Sequence, residues 1–471
     1  KAEGIISSDN AALDFTLRGE ASLSKTDSHT EFYADLRNID FAPFFPTGPL
    51  KDLSLSLTAD SRIDGRHPDT ATGWLTIDDI RFYDGADRSL SLDNITLEAR
   101  MVEKTRIITM NSDIVDGRIR GRYPVARIIP TARDILSQIY PALVSTTTSQ
   151  KVLTHKEIHD GEKTDNPDLV DFDFNFSLKA DTVVAPFFNL PFKIIDNVTL
   201  AGAMESEASL ISFSIDAPYL LQKNKLIENT ILRLDIDGQR NRSNLYASSV
   251  TPTKNGPMTL TLLSKGHDNT ADTDFKWVID REHDFHGNFN FTTHITRDSV
   301  ARNLSAVINV RPSTMVFNDT AWTVNPSQID INPGTVAVNN FNIGREGQYI
   351  EIDGVASADS TDVLKLRLRD INLDYIFETL NIGSVMFGGR ATGDFFASSL
   401  FSGAPIMYTP ALDVAALSYN RCVMGDTRIV SAWDNEKKAV TIDADIDSGH
   451  GHRSLIKGFI APATEELDFA F

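Results

Sequence analysis

The chain has 471 residues, more than the ~250–300 at which a single core stops growing, and 41% of them are apolar, too many for a disordered chain. Its net charge of −20, from 65 acidic against 45 basic residues, is interspersed along the sequence with no basic stripe to track phosphates, which argues against nucleic acid as a partner. One cysteine, Cys422, excludes an intrachain disulfide, and no apolar run approaches the roughly 18 residues that cross a bilayer as a helix.

In chain order, the first clear element is a strand, Leu36-Arg37-Asn38-Ile39-Asp40-Phe41, running into Ala42-Pro43-Phe44-Phe45. Leu53-Ser54-Leu55-Ser56-Leu57 then alternates strictly, so one face of that strand is Leu and the other Ser. Asp84-Gly85 and Asp116-Gly117 read as turns. Between Val125 and Leu143 the period changes. Ile128, Ile129, Ala132, Ile135, Leu136, Ile139 and Leu143 recur at three- and four-residue spacing, which predicts an amphipathic helix (about 125–143) begun near Pro130, closed near Pro141 and capping the end of a sheet.

Residues 145–167, including Thr146-Thr147-Thr148-Ser149, are polar and aperiodic and read as a loop. Alternation returns in Phe172-Asp173-Phe174-Asn175-Phe176-Ser177-Leu178, followed by a second copy of the Phe-rich phrase at Ala185-Pro186-Phe187-Phe188. Further strands are marked by Phe289-Asn290-Phe291, by Val336 and Val338, and by Leu364-Lys365-Leu366-Arg367-Leu368-Arg369. Asp237-Gly238, Pro333-Gly334 and Asp353-Gly354 read as turns among them. Leu368-Arg369-Asp370-Ile371-Asn372-Leu373 running into Asp374-Tyr375-Ile376-Phe377 is a third copy of the phrase. A strand-plus-turn unit recurring three times points to repetitive, elongated architecture rather than one closed globule. The expected organisation is a β segment over 1–144 ending in the helix, the loop 145–167, and β segments over 168–310 and 311–471.

The motifs do not support catalysis. His155-Lys156-Glu157-Ile158-His159 has two histidines at zinc-binding spacing, but its Glu is one place late for the zincin pattern. Asp443-Ala444-Asp445-Ile446-Asp447 resembles the start of a calcium loop, yet its interleaved Ala and Ile are those of a strand with a solvated edge. Neither is taken as a metal site, and no cofactor is expected. No G-x-S-x-G elbow, P-loop or dinucleotide fingerprint occurs, and Cys422 reads as a small packed hydrophobe. Sequons such as Asn94-Ile95-Thr96 arise freely on Thr- and Ser-rich strand faces, and a long chain without disulfides fits a bacterial envelope better than a eukaryotic ectodomain. Because the sequence opens without a signal peptide and stops within a strand-like pattern, it reads as a fragment of a longer protein.

A sheet with one apolar face must cover it, and the alternation fits two solutions, a closed sandwich or an open trough that accepts an apolar ligand. By parity the face consists of Leu53, Leu55 and Leu57; Phe172, Phe174, Phe176 and Leu178; Phe289 and Phe291; Val336 and Val338; and Leu364, Leu366 and Leu368.

Two groups of phrases carry a family resemblance. One is Asn318-Asp319-Thr320-Ala321-Trp322-Thr323-Val324, Tyr349-Ile350-Glu351-Ile352-Asp353-Gly354 and Phe387-Gly388-Gly389-Arg390-Ala391-Thr392-Gly393. The other is Asn111-Ser112-Asp113-Ile114-Val115-Asp116-Gly117-Arg118-Ile119-Arg120-Gly121-Arg122-Tyr123. The chain resembles the TamB family of the AsmA-like superfamily, of the Bacteroidetes type, over its central to C-terminal part. The resemblance implies an all-β fold, an elongated antiparallel meander curled into an open β-taco or groove with an apolar interior and one short amphipathic helix. It implies a periplasmic location in a Gram-negative bacterium, with the full-length protein anchored in the inner membrane through parts missing from this sequence. It also implies lipid binding and phospholipid transfer between the inner and outer membranes, with phospholipid acyl chains as the ligand. An alternative role is assembly of outer-membrane β-barrels with a BamA-like outer-membrane barrel protein as partner. The family has no catalytic residues to carry over, and the fourteen residues named above are the expected lipid-facing positions.

Overall fold

A computed structural model describes residues 2–23, 28–48, 50–67, 69–85, 88–144, 169–180, 184–188, 190–222, 225–253, 256–279, 285–300, 302–317, 319–374, 387–420, 422–449, 451–461 and 466–470. The protein is all-β, with neighbouring strands antiparallel and mostly consecutive in the chain. The chain divides into two compact units, Lys1–Asp268 and Asn269–Phe471.

Unit 1 opens with β1 (Ala2–Asn10), β2 (Leu13–Leu23), β3 (Ser28–Asp40) and β4 (Leu53–Asp64). It continues with β5 (Thr72–Asp84), β6 (Arg88–Val102), β7 (Thr105–Ser112) and β8 (Val115–Arg122). Helix α1 (Val125–Ser137) follows, and β9 (Asp171–Leu178) then pairs beside β8, so the meander resumes where it paused. After the short turn α2 (Val184–Phe187) come β10 (Lys193–Ile194), β11 (Val198–Glu205), β12 (Leu210–Gln222), β13 (Lys225–Asp237), β14 (Arg242–Thr253) and β15 (Gly256–His267). β11 pairs with β9 on one side and β12 on the other, while β10 extends the far end of β12.

Helix α1 starts at Val125, with Pro124 as N-cap residue, and Pro130 therefore lies in its second turn rather than its first. Its regular part ends at Ser137, and Ile139 and Tyr140 continue in tight turns whose amides bond to the Leu136 carbonyl. The helix also reports curvature. The Val125 amide donates to Asp69 Oδ1 in the β4–β5 connection at 2.9 Å, and the Tyr140 hydroxyl lies 2.9 Å from Ser243 Oγ at the start of β14. The fifteen steps from Val125 to Tyr140 span about 23 Å at helical rise. The path through the sheet from β5 to β14 is eight strand spacings, about 38 Å. The sheet of unit 1 is therefore bent into an arc whose chord the helix spans.

Unit 2 runs through β16 (Thr270–Ile279), β17 (Phe285–Arg297), β18 (Leu304–Val310), β19 (Ser313–Phe317), β20 (Thr320–Val324) and β21 (Ser327–Asn332). β18 and β19 lie end to end along β17, broken at Arg311-Pro312, and β20 and β21 form the next line, broken at Asn325-Pro326. A proline cannot donate to the ladder, so each break falls where the strand must bend. The meander then continues with β22 (Thr335–Arg345), β23 (Gln348–Ser357), β24 (Val363–Asn372) and β25 (Phe387–Ser398). It closes with β26 (Ile406–Tyr419), β27 (Cys422–Asp434), β28 (Ala439–Gly449), β29 (His452–Ala461) and β30 (Glu466–Ala470).

Left-handed residues inside strands mark bulges that shift the register: Asp79 in β5, Asn229 in β13, Asn340 in β22, Asp370 in β24 and Ala416 in β26. Each adds one residue to one strand and increases local twist, which bends the sheet. Asp84-Gly85, Asp237-Gly238 and Pro333-Gly334 lie in turns as expected, but Asp116-Gly117 lies inside β8 and Asp353-Gly354 inside β23. At Gly354 φ is +115°, and a Cβ there would overlap the Val363 carbonyl oxygen on the next strand. These glycines serve close approach across the sheet rather than chain reversal. The sequence loop 145–167, the His155–His159 pair and Tyr375-Ile376-Phe377 lie outside the described residues.

Candidate functional site

In unit 1 the register assembles a continuous apolar row. Leu75, Leu97, Met110, Gly117, Phe176, Leu200, Ile215, Leu232, Ala247 and Leu262 are successive cross-strand partners from β5 to β15. Antiparallel partners share a face, so the whole row lies on one side of the sheet. Adjacent rows repeat the pattern: Ile108, Ile119, Phe174, Gly202, Phe213, Leu234 and Leu245 form one of them. The row from Leu75 to Leu262 is only half-buried throughout. A facing sheet about 10 Å away would bury such side chains completely. The middle of this face is therefore an open apolar groove.

Glycines shape the groove. Phe176 lies across Gly117, Phe172 across Gly121 and Phe174 beside Gly202, and a Cβ at any of the three would overlap a ring or its stem. With no side chain beneath them the Phe176 and Phe174 rings lie over Gly117 and Gly202, and neighbouring centroids are 6.4 Å (Phe172–Phe174) and 6.0 Å (Phe174–Phe176) apart. Unit 2 repeats the device, with the Trp277 indole over Gly287.

The groove of unit 1 is closed at its two ends. At one, Ile135 and Ile139 of the α1 region, the latter fully buried, pack on Tyr123, Val170, Met204 and Ile236. Tyr140 fits where Gly266 leaves room beside Ser243. At the other end Phe187 packs on Leu53 and Leu90, with Phe41, Phe82 and Phe188 around it. Two copies of the repeated Phe-rich phrase thus meet in one cluster, although Phe44 and Phe45 of the first copy stay exposed.

In unit 2 the row Ile343, Ile350, Leu368, Gly393, Leu412, Ile429, Ala444 and Ile456 crosses β22 to β29. Val310, Met315, Trp322, Val324, Leu368 and Ile371 form a buried cluster made only of strand residues. Ala391, Val414 and Leu417 form a second, with Leu373 and Phe387 against it.

The opposite faces are charged. Glu351, Arg367, Asp394 and Lys365 form a network across β23–β25. Arg390 grips Asp370 with two hydrogen bonds, 2.6 and 2.5 Å, and holds its carboxyl below the usual range. Arg428 does the same to Asp413 across β26–β27. Asp443 and Asp445, the would-be calcium ligands, face Lys457 and Arg453. Cys422 is exposed rather than packed, because it begins β27 at a turn instead of facing the core.

The register puts all fourteen parity-assigned residues on the apolar face of their own unit. In unit 1, Leu53, Leu55 and Leu57 share a face with Ala59 and Ser61, which join the rows through Ile77 and Leu75. Phe172, Phe174, Phe176 and Leu178 follow on β9. In unit 2, Phe289, Phe291, Val336, Val338, Leu364, Leu366 and Leu368 share the other apolar face. Leu53 and Leu368 are buried there and the other twelve half-buried. Parity could not supply the glycines opposite the rings or the partners Leu97, Met110, Leu200 and Ile215, because register is a property of strand pairs. It also passed over Arg106, a basic residue on the apolar side of β7, whose place in the sequence is an ordinary alternation slot.

No family model, no curated protein and no solved structure matches this chain.

Proposed function

We propose that this chain is part of a lipid-binding and lipid-transfer scaffold of the Gram-negative periplasm, of the TamB type, which carries phospholipid acyl chains between the inner and outer membranes along its apolar face. The observation that supports this most is the row from Leu75 to Leu262, apolar on every strand yet nowhere fully buried. An apolar strip of that extent that solvent still reaches is a hazard unless it has a ligand. A methylene moved from water onto such a surface contributes about 0.8 kcal/mol, so a dozen contribute about 10 kcal/mol gross, enough to hold an acyl chain by apolarity alone. Recognition of the tail is by groove width, which the flattened Phe rings set.

Native mass spectrometry of the purified chain, with solvent extraction and lipid analysis, tests this. Phospholipid at reproducible stoichiometry, lost on Phe174→Asp or Leu366→Asp, is the expected result. A lipid-free, monodisperse protein that instead crosslinks to outer-membrane barrel strands would replace this reading with that of a barrel-assembly scaffold.

A further inference from the structure

Resting on that reading, we propose that the groove of unit 1 has a headgroup site, formed by the Arg106 guanidinium and the Tyr123 hydroxyl, that takes the phosphate of an anionic amphiphile whose tail lies along the groove. Arg106 pairs with Gly121 and Met101 across the sheet, in the row next to Ile108 and Ile119, so it stands on the apolar face. The residues in its row on that face, Met101, Gly121 and Phe172, carry no carboxylate, and among the described residues Arg106 has no hydrogen bond or ion pair. Its Nε is buried without a partner. Arg106 as a whole is half-buried, so its terminal nitrogens stay within reach of a ligand while the shielded Nε lacks a hydrogen-bond acceptor that an anion would supply.

Tyr123 is the second, independent observation. It is only 6% exposed, packs its ring on Phe172 at 5.3 Å, and its hydroxyl is buried with no partner. Burial raises its pKa and the nearby Arg106 charge opposes this, so the two side chains are close enough to interact. The phenol therefore stays a proton donor at neutral pH. A planar fork plus a hydroxyl donor matches phosphate, which accepts several charge-assisted hydrogen bonds at once.

The place also suits a headgroup. Arg106 is one same-face position beyond Ile108, which packs on the α1 cluster, and the apolar face continues past Ile108 and Met110 toward Leu90 and Phe187. Between Ala99, the partner of Ile108 beside the α1 cluster, and Leu92 of the Phe187 cluster are seven residues of strand, about 23 Å. One leaflet of bilayer hydrocarbon is about 15 Å thick, so a tail fits between the two closures.

The test is calorimetric titration of the whole chain with dodecyl phosphate, dodecyl maltoside and inorganic phosphate, each below micelle formation. The wild type is expected to bind dodecyl phosphate at least about tenfold more tightly than the maltoside. Arg106→Gln should abolish that preference while leaving maltoside affinity unchanged, Arg106→Lys should keep part of it, and Tyr123→Phe should reduce it about two- to tenfold. Arg118→Gln, on the opposite face of the sheet, should change nothing. Undiminished preference in a folded Arg106→Gln, or equal affinity for both detergents in the wild type, overturns the headgroup site and leaves the groove standing. Inorganic phosphate binding as tightly as dodecyl phosphate overturns it in favour of a free-anion site. Failure of both detergents to bind overturns the groove reading itself.

Discussion

The two units solve the same problem differently. Unit 1 leaves the middle of its apolar face open and closes the ends with segments inserted between strands, α1 at one and the α2 turn at the other. Unit 2 builds its larger buried cluster from strand residues alone, bending where Pro312 and Pro326 interrupt the ladder and where Asp370 and Ala416 bulge. Burial in unit 1 therefore depends on a detachable element, and burial in unit 2 on backbone geometry. Side-chain truncation at the helix should hurt the first most, and changes at special backbone positions should hurt the second.

The largest expected effect is Ile139→Ala, which removes a fully buried side chain from the α1 contact and should cost unit 1 about 2–5 kcal/mol. Hydrogen exchange should show faster amides at the α1 end of β11 to β14 with unit 2 unchanged. Exchange that rises equally in both units would contradict the division. Gly354→Val should cost unit 2 about 2–3 kcal/mol, because a Cβ would meet the Val363 carbonyl at a φ of +115°. Its unfolding transition should move while that of unit 1 stays.

Smaller effects sharpen what the units share. Gly117→Val should lift Phe176 off the sheet and cost about 1–3 kcal/mol, and Gly287→Val under Trp277 should do the same in unit 2. Thermal unfolding of the two variants should report similar losses in different units. The smallest effect concerns Arg390→Gln. Asp370 has its pKa lowered by the Arg390 hydrogen bonds first, with a further hydrogen bond from Gln348. Its contribution is therefore fully present above the unfolded value of about 3.9 and is lost as pH falls through the lowered folded value. Both side chains are about half exposed, so the contribution is at most about 1 kcal/mol. Urea midpoints of unit 2 between pH 2 and 7 should fall less steeply in acid for Arg390→Gln than for the wild type.

Much of this was legible in the sequence because a strand writes its two faces as alternate residues. Leu53, Phe174 and Leu366 were assignable to a face from period two alone, and Ile135 and Ile139 to a helix from their spacing. The Asp-Gly pairs misled at Gly117 and Gly354, since the same residue that permits a turn also permits close approach between strands, and only the neighbouring strand tells which is needed. Cys422 misled similarly, because a small apolar residue at a strand's first position faces solvent as readily as core. The meeting of Phe41 with Phe187 and Phe188 was invisible, although both phrases were recognised, because nothing local records that α2 reaches back to β6.

The sequence by itself determined the all-β class, the sidedness of each strand, the charged outer face and the existence of α1, because those follow from local periodicity and charge. Tertiary structure alone decided the register that joins separate apolar stripes into rows and the bulges that bend them. It also decided that Tyr123 packs under α1 with its hydroxyl near the Arg106 charge. These depend on pairings between residues far apart in the chain, and a one-residue shift in any pairing would turn the same side chains to the opposite face.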